Sequence, residues 1–210
     1  MKRVLIFDYD GTLVNSLFIV YKSYTSITEK YGLALPKSIG EFTLLYENNF
    51  YKSLRQKGLS ERKIHSLIKD MRGSMAEEYA KQKPFPGINS VLKRVHSENL
   101  IIIITSNTSS IVMKSIRHNK LSWISKVIGA EQGTSKVDKI LSIKKKHKGA
   151  EIFYIGDTMG DIKEGKEAKV KTAAVTWGYH TRKQLLSVKP DYIFSKPSQI
   201  EVLARDIIYK

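Results

Sequence analysis

The stretch FDYDGTLVNS, residues 7–16, places two carboxylates, Asp8 and Asp10, at the end of a short apolar run. Carboxylates two positions apart at the frayed end of a strand can both face one cleft. Gly11 would let the chain turn sharply after them, and Thr12 could fix the loop through its hydroxyl. A DxDG sequence is also common in simple turns, because an Asp side chain hydrogen-bonds readily to nearby backbone groups. The choice between a turn and a reactive site depends on the rest of the chain.

Short apolar runs rich in β-branched residues recur along the chain, and helical patterns separate most of them. The runs that predict strands are Val4–Phe7, Leu100–Ile104, Lys126–Ile128, residues 152–155, Lys171–Val175 and Tyr192–Phe194. Strands that are apolar on both faces and separated by helices are typical of a parallel sheet covered on two sides. The predicted fold class is therefore α/β, with a Rossmann-like parallel sheet. In such sheets ligands bind outside the carboxyl ends of the strands, where Asp8 lies.

One stretch interrupts this alternation, because residues 16–83 show helical periodicity and no convincing strand. Apolar residues recur there at three- and four-residue spacing in two long segments. Ser16 and Ser60 are in position to cap the helices that these segments predict. The prolines of the KPFPG sequence that follows end the helical pattern. We expect residues 16–83 to form a small all-helical cap domain, inserted into a core domain of residues 1–15 and 84–210.

Polar or charged side chains follow several of the predicted strands at the point where each strand ends. They are Thr105, Ser106 and Asn107 after the second strand, Lys136 after the third, and Asp157 and Asp161 after the fourth. With Asp8 and Asp10 they bring hydroxyls, an ammonium and four carboxylates to one edge of the sheet. Such a set is unsuited to a core, because an unpaired buried charge is costly. It suits phosphoryl transfer, in which a divalent cation needs oxygen ligands and the phosphoryl group needs donors.

The net charge of +16 comes from 36 Lys and Arg against 20 acidic residues, and it is unevenly distributed. Residues 114–148 hold ten Lys or Arg and two acidic residues, including KKKHK at residues 144–148. A basic surface attracts anions such as nucleic acid. A solvated lysine-rich helix face is the favoured interpretation, because Lys predominates over Arg and no aromatic residues are interleaved. Nucleic acid is kept as an alternative partner.

The cysteine content and the apolar runs bear on the compartment. The chain has no Cys, which excludes disulfides and thiolate chemistry and suits a reducing compartment. Only four apolar residues lie between Arg3 and Asp8, too few for the core of a signal peptide. The longest apolar run, Leu100–Ile104, is too short to span a bilayer. We expect a soluble cytoplasmic protein without a membrane partner, and no sequence feature reports its oligomeric state.

Four sequence motifs together carry a family resemblance. DYDGTLVNS, the Thr105 hydroxyl after IIII, Lys136 and GDTMGD occur in the order and spacing of the four motifs of the haloacid dehalogenase (HAD) superfamily. The chain resembles this superfamily over essentially its whole length, and the helical insertion looks like the superfamily's C1 cap. PFPG before the second strand and VTWGYHTRKQLLSVKPDYIF near the end resemble the phosphoglycolate phosphatase-like subgroup. The combination is specific, whereas a lone DGT would be weak.

The resemblance implies a Mg²⁺-dependent phosphatase in which Asp8 is the nucleophile and forms an aspartyl-phosphate. Asp10 would be the general acid that protonates the leaving oxygen and then the base that activates water. Mg²⁺ would be held by a carboxylate oxygen of Asp8, the backbone carbonyl of Asp10 and the carboxylate of Asp157. Asp161 would orient Asp157 or a metal-bound water. Asp161 could instead be only the N-cap of a helix from Ile162.

The resemblance also implies donors for the phosphoryl group. Lys136 would neutralise charge on Asp8 and on the phosphoryl oxygens. Thr105 would donate to these oxygens together with backbone amides near Ser106 and Asn107. Ser106 is the alternative source of the hydroxyl. These residues complete the predicted catalytic and substrate-binding set.

The expected substrate is a small phosphorylated metabolite, a phosphomonoester similar to phosphoglycolate. Asp10 argues against dehalogenation, since a halide leaving group needs no proton. A phosphosugar mutase of the β-phosphoglucomutase type uses the same pair of aspartates and is an alternative. A protein that binds nucleic acid through the basic face, or a phosphatase of nucleic-acid ends, is another. Residues 44–58 depart from the glycine-containing loop of typical phosphoglycolate phosphatases, and the candidate substrate contacts there are Asn48, Asn49, Lys52 and Arg55.

Overall fold

The predicted strands form one parallel sheet in the computed structural model, which describes residues 3–204. They are Val4–Phe7 (β1), Leu100–Ile104 (β2), Lys126–Ile128 (β3), Ile152–Gly156 (β4), Lys171–Val175 (β5) and Tyr192–Phe194 (β6). The strands lie in the order β3-β2-β1-β4-β5-β6, and each neighbouring pair is parallel. The fourth strand extends one residue beyond its predicted run. The predicted α/β fold with a Rossmann-like sheet is confirmed.

Strand β1 is apolar at every position because it is central and covered on both faces. Leu5 and Phe7 belong to the core on one face of the sheet, and Val4 and Ile6 belong to the core on the other. Successive side chains of a strand point to opposite faces, so a strand buried on both sides needs apolar residues throughout. The four residues are at most 2% exposed. This burial fixes the strand that carries Asp8 at its carboxyl end.

Helices lie on both faces of the sheet and in the segment between β1 and β2. They are Leu17–Ile27 (α1), Ile39–Thr43 (α2), Phe50–Gln56 (α3), Glu61–Ala80 (α4), Ile88–Val95 (α5), Ser109–His118 (α6), Lys136–Lys146 (α7), Met159–Glu167 (α8) and Arg182–Ser187 (α9). Helices α5 and α6 pack in the core that contains Leu5. Helix α7 packs on the opposite face with Ile6, and α8 and α9 lie on that face beside Ala174.

Helices α1 to α4 form the inserted segment and share an apolar core. Helix α1 packs along α4, and the buried aromatic residues Tyr24, Phe42 and Tyr79 lie in this core. Residues 16–83 contain helices, turns and short 3₁₀ segments but no strand. The helical character predicted for this segment is therefore confirmed.

The two serines predicted as N-caps behave differently. Ser60 caps α4, because its side chain accepts a hydrogen bond from Lys63 N. Ser16 occupies the N-cap position of α1 as predicted, but its side chain makes no capping hydrogen bond. The Ser16 hydroxyl lies instead 3.2 Å from the Tyr179 hydroxyl, in the buried region beside the sheet. Competition from a buried tyrosine 163 positions away could not be seen in the local sequence.

The two chain segments that connect the insertion to the sheet run side by side. Asn15 N donates to Lys83 O at 3.1 Å, and Phe85 N donates to Leu13 O at 3.0 Å. These hydrogen bonds lie at the predicted limits of the cap. The division into a cap of residues 16–83 and a core of residues 1–15 and 84–210 stays a prediction, and residues 1–2 and 205–210 lie outside the described part.

Replacement of Ile6 by Ala tests the buried position of β1. Ile6→Ala should lower the free energy of unfolding by about 2–5 kcal/mol, because it leaves a cavity between the sheet and α7. Urea unfolding followed by circular dichroism measures this change. Leu141→Ala is the control, since Leu141 lies on α7 but is 44% exposed. Losses of equal size in the two variants would contradict the assigned burial.

Candidate active site

The side chains that follow the predicted strands meet at one edge of the sheet. Asp8 follows β1, Thr105 follows β2, Asp157 follows β4, Lys136 begins α7, and Asp161 lies in the first turn of α8. Asp8 N donates to Ile155 O at 2.9 Å, which continues the hydrogen bonding of β1 and β4. Asp8 and Asp157 therefore leave adjacent strands. The strand order reverses beside β1, and ligands of open α/β sheets bind at such a point.

Three carboxylates form a buried cluster around an ammonium group. Asp8, Asp157 and Asp161 each place one oxygen within 4.8 Å of the others. Lys136 Nζ lies 3.0 Å from Asp8 Oδ1 and 2.7 Å from Asp161 Oδ1. All four residues are less than 10% exposed. Burial alone lowers the pKa of Lys136, but Asp161 and Asp8 outweigh it and raise that pKa well above its usual value, so the side chain stays a cation.

Asp161 is fixed by the start of α8 as well as by Lys136. It is not the N-cap of a helix from Ile162, because α8 begins earlier and Thr158 is its N-cap. Asp161 completes a capping box, in which its Oδ2 accepts from Thr158 N at 3.1 Å and from Thr158 Oγ1 at 2.6 Å. The Tyr154 hydroxyl donates to Oδ1 at 2.8 Å. Burial raises the pKa of Asp161, but Lys136 and these donors more than offset it, and the net pKa is lowered.

Asp157 is held by the loop that follows β1. Thr12 Oγ1 donates to Asp157 Oδ1 at 2.6 Å, and Tyr179 N donates to Oδ2 at 2.8 Å. The Thr12 hydroxyl therefore joins two loops, whereas the sequence suggested that it fixes its own. Gly11 has a φ of +77°, and a Cβ there would lie 2.2 Å from Asp157 Oδ2. Burial and the charge of Asp161 raise the pKa of Asp157 to about 7.

The donor set of the cluster fits a hard divalent cation. Burial raises the pKa of Asp8 well above its usual range, Lys136 opposes this rise, and Asp161 and Asp157 add to it. Three buried carboxylates therefore face a single ammonium, and all three could be ionised together only with a further cation beside them. The cluster offers only carboxylate oxygens as ligands. Mg²⁺ and Ca²⁺ prefer oxygen ligands, whereas softer metals prefer sulfur or nitrogen. The Asp10 side chain lies outside this cluster. The atom of Asp10 that is predicted to bind the metal is its backbone carbonyl oxygen.

Asp10 lies in a hydrogen-bond network that includes α4 of the insertion. The Tyr79 hydroxyl lies 2.8 Å from Asp10 Oδ1 and 2.9 Å from Oδ2. Asn107 Nδ2 donates to Asp10 Oδ2 at 3.0 Å, so this predicted substrate-binding side chain is already engaged. Burial raises the pKa of Asp10, and the bonds from Tyr79, Ser16 and Asn107 limit the rise. Tyr79 was missed from sequence, because its spacing fits the buried stripe of α4.

The residues of the loop after β2 differ in whether they reach the cavity. Thr105 is fully buried, and its hydroxyl accepts from Asn107 N at 3.0 Å. Lys139 Nζ, one turn along α7 from Lys136, donates to Thr105 O at 3.2 Å. Burial and the charge of Lys136 lower the pKa of Lys139 to about 8. Ser106 and Asn107 line the cavity together with Asp8, whereas Thr105 does not.

A cavity of about 80 Å³ separates this cluster from the insertion. Asn48 and Asn49 line it, whereas Lys52 and Arg55 do not. Asn49 Nδ2 donates to Glu164 Oε1 at 2.9 Å, and its Oδ1 accepts from Tyr51 N as the N-cap of α3. Arg55 is paired with Glu61 on the surface. Of the four candidate contacts, two therefore reach the cavity, and the Asn49 side chain is occupied.

The insertion also touches the sheet domain beside the cavity. Lys163 Nζ donates to Glu47 O at 2.7 Å and to Asn48 Oδ1 at 3.0 Å. A Cβ at Gly160 would lie 2.6 Å from Asn48 O, so the first turn of α8 accepts this loop only because the position is Gly. The loop of residues 46–49 therefore closes one side of the cavity.

Comparison with known proteins assigns the family. A sequence profile described as "Haloacid dehalogenase-like hydrolase" matches residues 5–175, most of the chain. The chain belongs to the haloacid dehalogenase-like hydrolase family. Its fold is also similar to that of a hydrolase of this family from Streptococcus pneumoniae, with a TM-score of 0.79 and 23% identity. That similarity covers 97% of this chain and 99% of the other.

Two curated relatives indicate the subgroup. The chain is 25% identical over 202 residues to a phosphoglycolate phosphatase of Synechococcus elongatus, covering 94% of this chain and 95% of the relative. It is 24% identical over 217 residues to the pyrophosphatase PpaX of Listeria monocytogenes, covering 96% of each. The resemblance to the phosphoglycolate phosphatase-like subgroup and the expected enzyme class, a phosphatase of this family, are confirmed.

The helices of the described part of the chain are too short or too polar to cross a membrane. Between residues 3 and 204, none combines the length and the apolar character needed to cross a bilayer. The cytoplasmic location expected from the sequence stays a prediction.

Replacement of Lys136 by Met tests the charge balance of the cluster. The variant leaves Asp8 and Asp161 buried without their cation, which should lower the free energy of unfolding by about 3–5 kcal/mol. The loss should grow as pH rises from about 5 to 8. Burial without the ammonium raises the folded-state pKa of Asp8 further above its unfolded value, so deprotonation then opposes folding. Urea unfolding at several pH values, with EDTA present, measures both effects.

Lys139→Met is the matched control for this experiment. Lys139 is also buried on α7, but its ammonium donates to a neutral carbonyl, so its removal should cost only about 1 kcal/mol. Equal losses in the two variants, or no pH dependence in Lys136→Met, would contradict the proposed charge balance.

Proposed function

We propose that the protein is a Mg²⁺-dependent phosphatase that hydrolyses a small phosphorylated metabolite through an aspartyl-phosphate. The observation that carries this proposal is Lys136 Nζ, 3.0 Å from Asp8 Oδ1, within a cluster of buried carboxylates that opens on a cavity. A carboxylate that must attack phosphorus has to be ionised while buried. The family and its phosphatase relatives support the same reaction class.

Asp8 is the nucleophile of this reaction. Lys136 partly opposes the effect of burial on the pKa of Asp8, which stays raised, and a bound divalent cation would further favour the ionised form that attacks. A bond forms from an Asp8 oxygen to phosphorus, and the bond from phosphorus to the leaving oxygen breaks. Water then attacks the aspartyl-phosphate, which releases inorganic phosphate and restores Asp8. Both steps leave the ammonium of Lys136 beside the transferred group, where it offsets charge on the equatorial oxygens.

Asp10 moves the proton in both steps. Its raised pKa allows it to hold a proton for the leaving oxygen, and it takes a proton from water in the second step. Tyr79 and Asn107 fix the orientation of its carboxyl group. The Tyr79 hydroxyl is a dependable donor, because burial and the charge of Asp10 raise its pKa well above the usual value.

Asp8, Asp157 and the backbone carbonyl of Asp10 would hold Mg²⁺, and Asp161 orients its neighbours. When bound, this cation would neutralise the cluster and lower the repulsion between Asp8 and an anionic substrate. Ser106 would supply a further donor to the phosphoryl oxygens, and the Thr105 hydroxyl, which accepts from Asn107 N, would hold this loop in place. Their roles rest on the loop after β2, whose residues Ser106 and Asn107 line the cavity.

Hydrolysis of a small phosphomonoester is favoured over the phosphosugar mutase. A sugar needs several donors and acceptors for its hydroxyls, and the cap side of the cavity consists largely of apolar side chains. The side chains of Asn48 and Asn49 are already hydrogen-bonded to α8. Two polar groups that could serve a sugar are therefore occupied.

The basic face has no part in the proposed reaction. The lysines of residues 144–146 lie at the opposite end of α7 from Lys136, about 15 Å along the helix axis. Lys144 Nζ donates to the carbonyls of Ala168 and Lys169 at the end of α8. Binding of nucleic acid there stays a separate prediction, which a titration of labelled RNA or DNA at about 0.15 M salt tests.

Asp8→Asn tests the nucleophile. An amide cannot attack phosphorus, so Mg²⁺-dependent hydrolysis of p-nitrophenyl phosphate should fall by at least about 10³-fold, and EDTA should abolish wild-type turnover. Asp138→Asn is the matched control, because Asp138 is exposed in the first turn of α7 and lies outside the cavity. Wild-type activity in Asp8→Asn would exclude the assigned nucleophile.

Tyr79→Phe tests the proton transfer by Asp10. Loss of the hydroxyl removes a donor to the ionised carboxyl, so the pKa of Asp10 should rise and its protonated form should persist to higher pH. In a plot of kcat/KM against pH, the basic limb should shift to higher pH, and the maximum value of kcat/KM should be roughly tenfold lower. Phosphatase assays with an alkyl phosphate measure the profile.

Tyr31→Phe is the control for Tyr79→Phe. It also removes a tyrosine hydroxyl that donates to a carboxylate, here Asp70 Oδ2 at 2.7 Å, but on the surface of the insertion. Its pH profile should match that of the wild type. An unchanged basic limb in Tyr79→Phe would contradict the role given to Asp10.

A further inference from the structure

Arg72 extends from α4 of the insertion into the cavity that contains Asp8. Its Nη2 donates to Ser106 O at 2.6 Å, in the loop after β2. The guanidinium therefore reaches across from the insertion to the loop whose residues line the phosphoryl side of the cavity. The sequence does not indicate a role for Arg72, because it is one of many charged residues in the amphipathic helix α4.

The charge of Arg72 is not neutralised by any carboxylate among residues 3–204. No acidic oxygen within this range lies close enough to form an ion pair with it. Its Nε is fully buried and has no hydrogen-bond acceptor there. A buried donor without a partner costs about 1–3 kcal/mol, and more when the group is charged. A guanidinium presents parallel N–H groups that match an anionic group with two oxygens.

The other cation that lines the cavity, Lys136, is assigned to the phosphoryl end of the substrate. Lys136 is paired with Asp8 and Asp161, and its ammonium faces the position of the phosphoryl group. The cap side of the cavity is largely apolar, with Met71 and Met75 in its lining, and the Tyr51 hydroxyl accepts a long hydrogen bond from Arg72 Nη2 at 3.5 Å. A ligand that fills this space is therefore small and apolar between two charged ends, with one end at Lys136 and the other at Arg72.

We infer that Arg72 determines substrate specificity by binding a second anionic group, a carboxylate or a phosphoryl group, on the leaving part of the substrate. The inference rests on the proposed phosphatase function. Nε, which has no partner, and a guanidinium N–H that neither Ser106 O nor the Tyr51 hydroxyl uses would donate to the oxygens of that group. The substrate class is then a phosphorylated small acid or a phosphoanhydride, and a phosphomonoester of an uncharged alcohol would leave the Arg72 charge without a partner.

Steady-state kinetics of Arg72→Met with three substrates tests this role. The substrates are 2-phosphoglycolate, which carries a carboxylate, pyrophosphate, which carries a second phosphoryl group, and ethyl phosphate, which carries neither. For the wild type, kcat/KM should be highest for 2-phosphoglycolate or for pyrophosphate, the two substrates with a second anionic group. The better of these two substrates shows whether Arg72 binds a carboxylate or a phosphoryl group. Arg72→Met should lower kcat/KM for that substrate by about 10- to 100-fold, mainly through KM, and for ethyl phosphate by less than about threefold.

Two further variants separate specificity from folding. Arg62→Met removes an exposed cation from the same helix and should leave all three values unchanged. Arg72→Lys should restore part of the loss for the doubly anionic substrate, because it keeps the charge but not the paired donors. Ethyl phosphate turnover in Arg72→Met reports whether the active site is intact.

The outcomes distinguish this inference from the proposed function. Equal losses for ethyl phosphate and the doubly anionic substrate, or no preference for a second anion in the wild type, would overturn the role of Arg72 alone. Undiminished turnover in Asp8→Asn would overturn the proposed function. In that case calorimetric titration of 2-phosphoglycolate with Mg²⁺ decides the role of Arg72: weaker binding in Arg72→Met but not in Arg62→Met supports it, and equal binding rejects it.

Discussion

The ion pairs of Lys136 with Asp8 and Asp161 are the interaction on which the site depends. Three carboxylates lie within 4.8 Å of one another in a buried region, and one ammonium lies between two of them. Without it, burial and mutual repulsion would raise the pKa values of these acids further and would favour their neutral forms more strongly. The position of Lys136 follows from the start of α7, where Ser135 caps the helix and directs its first residue at the strand ends.

Close backbone approach makes this concentration of charge geometrically possible. A Cβ at Gly178 would lie 2.3 Å from Asp157 Oδ2, and one at Gly156 would lie 2.4 Å from Asp161 Cβ. The glycines thus let two loops and the strand β4 close around the carboxylates. The same closeness lets Tyr179 N donate to Asp157, so the backbone supplies donors that side chains would block.

The fold and the central cluster could be predicted because their signals are local. The apolar runs predicted the strands nearly to the residue, and Asp8, Asp157 and Lys136 each lie within a few residues of such a run or of a helix start. The contributions of Tyr79 and Arg72 could not be predicted, since both occupy ordinary positions of an amphipathic helix. Their partners, Asp10 and Ser106, are 69 and 34 residues away, and only the packing of α4 beside the sheet brings them together.

Both of those long-range contacts join α4 to the strand ends, and this couples the insertion to the chemistry. The Tyr79 hydroxyl donates to Asp10, and Arg72 donates to Ser106 O, so one helix touches the proposed proton-transfer group and the loop beside the proposed phosphoryl position. Any movement of α4 away from the sheet would break both contacts and would expose Asp10 and Arg72 to water. Solvation would remove the burial that raises the pKa of Asp10 and would satisfy Arg72 Nε without a ligand. The properties assigned to these two residues therefore exist only while the insertion lies against the sheet.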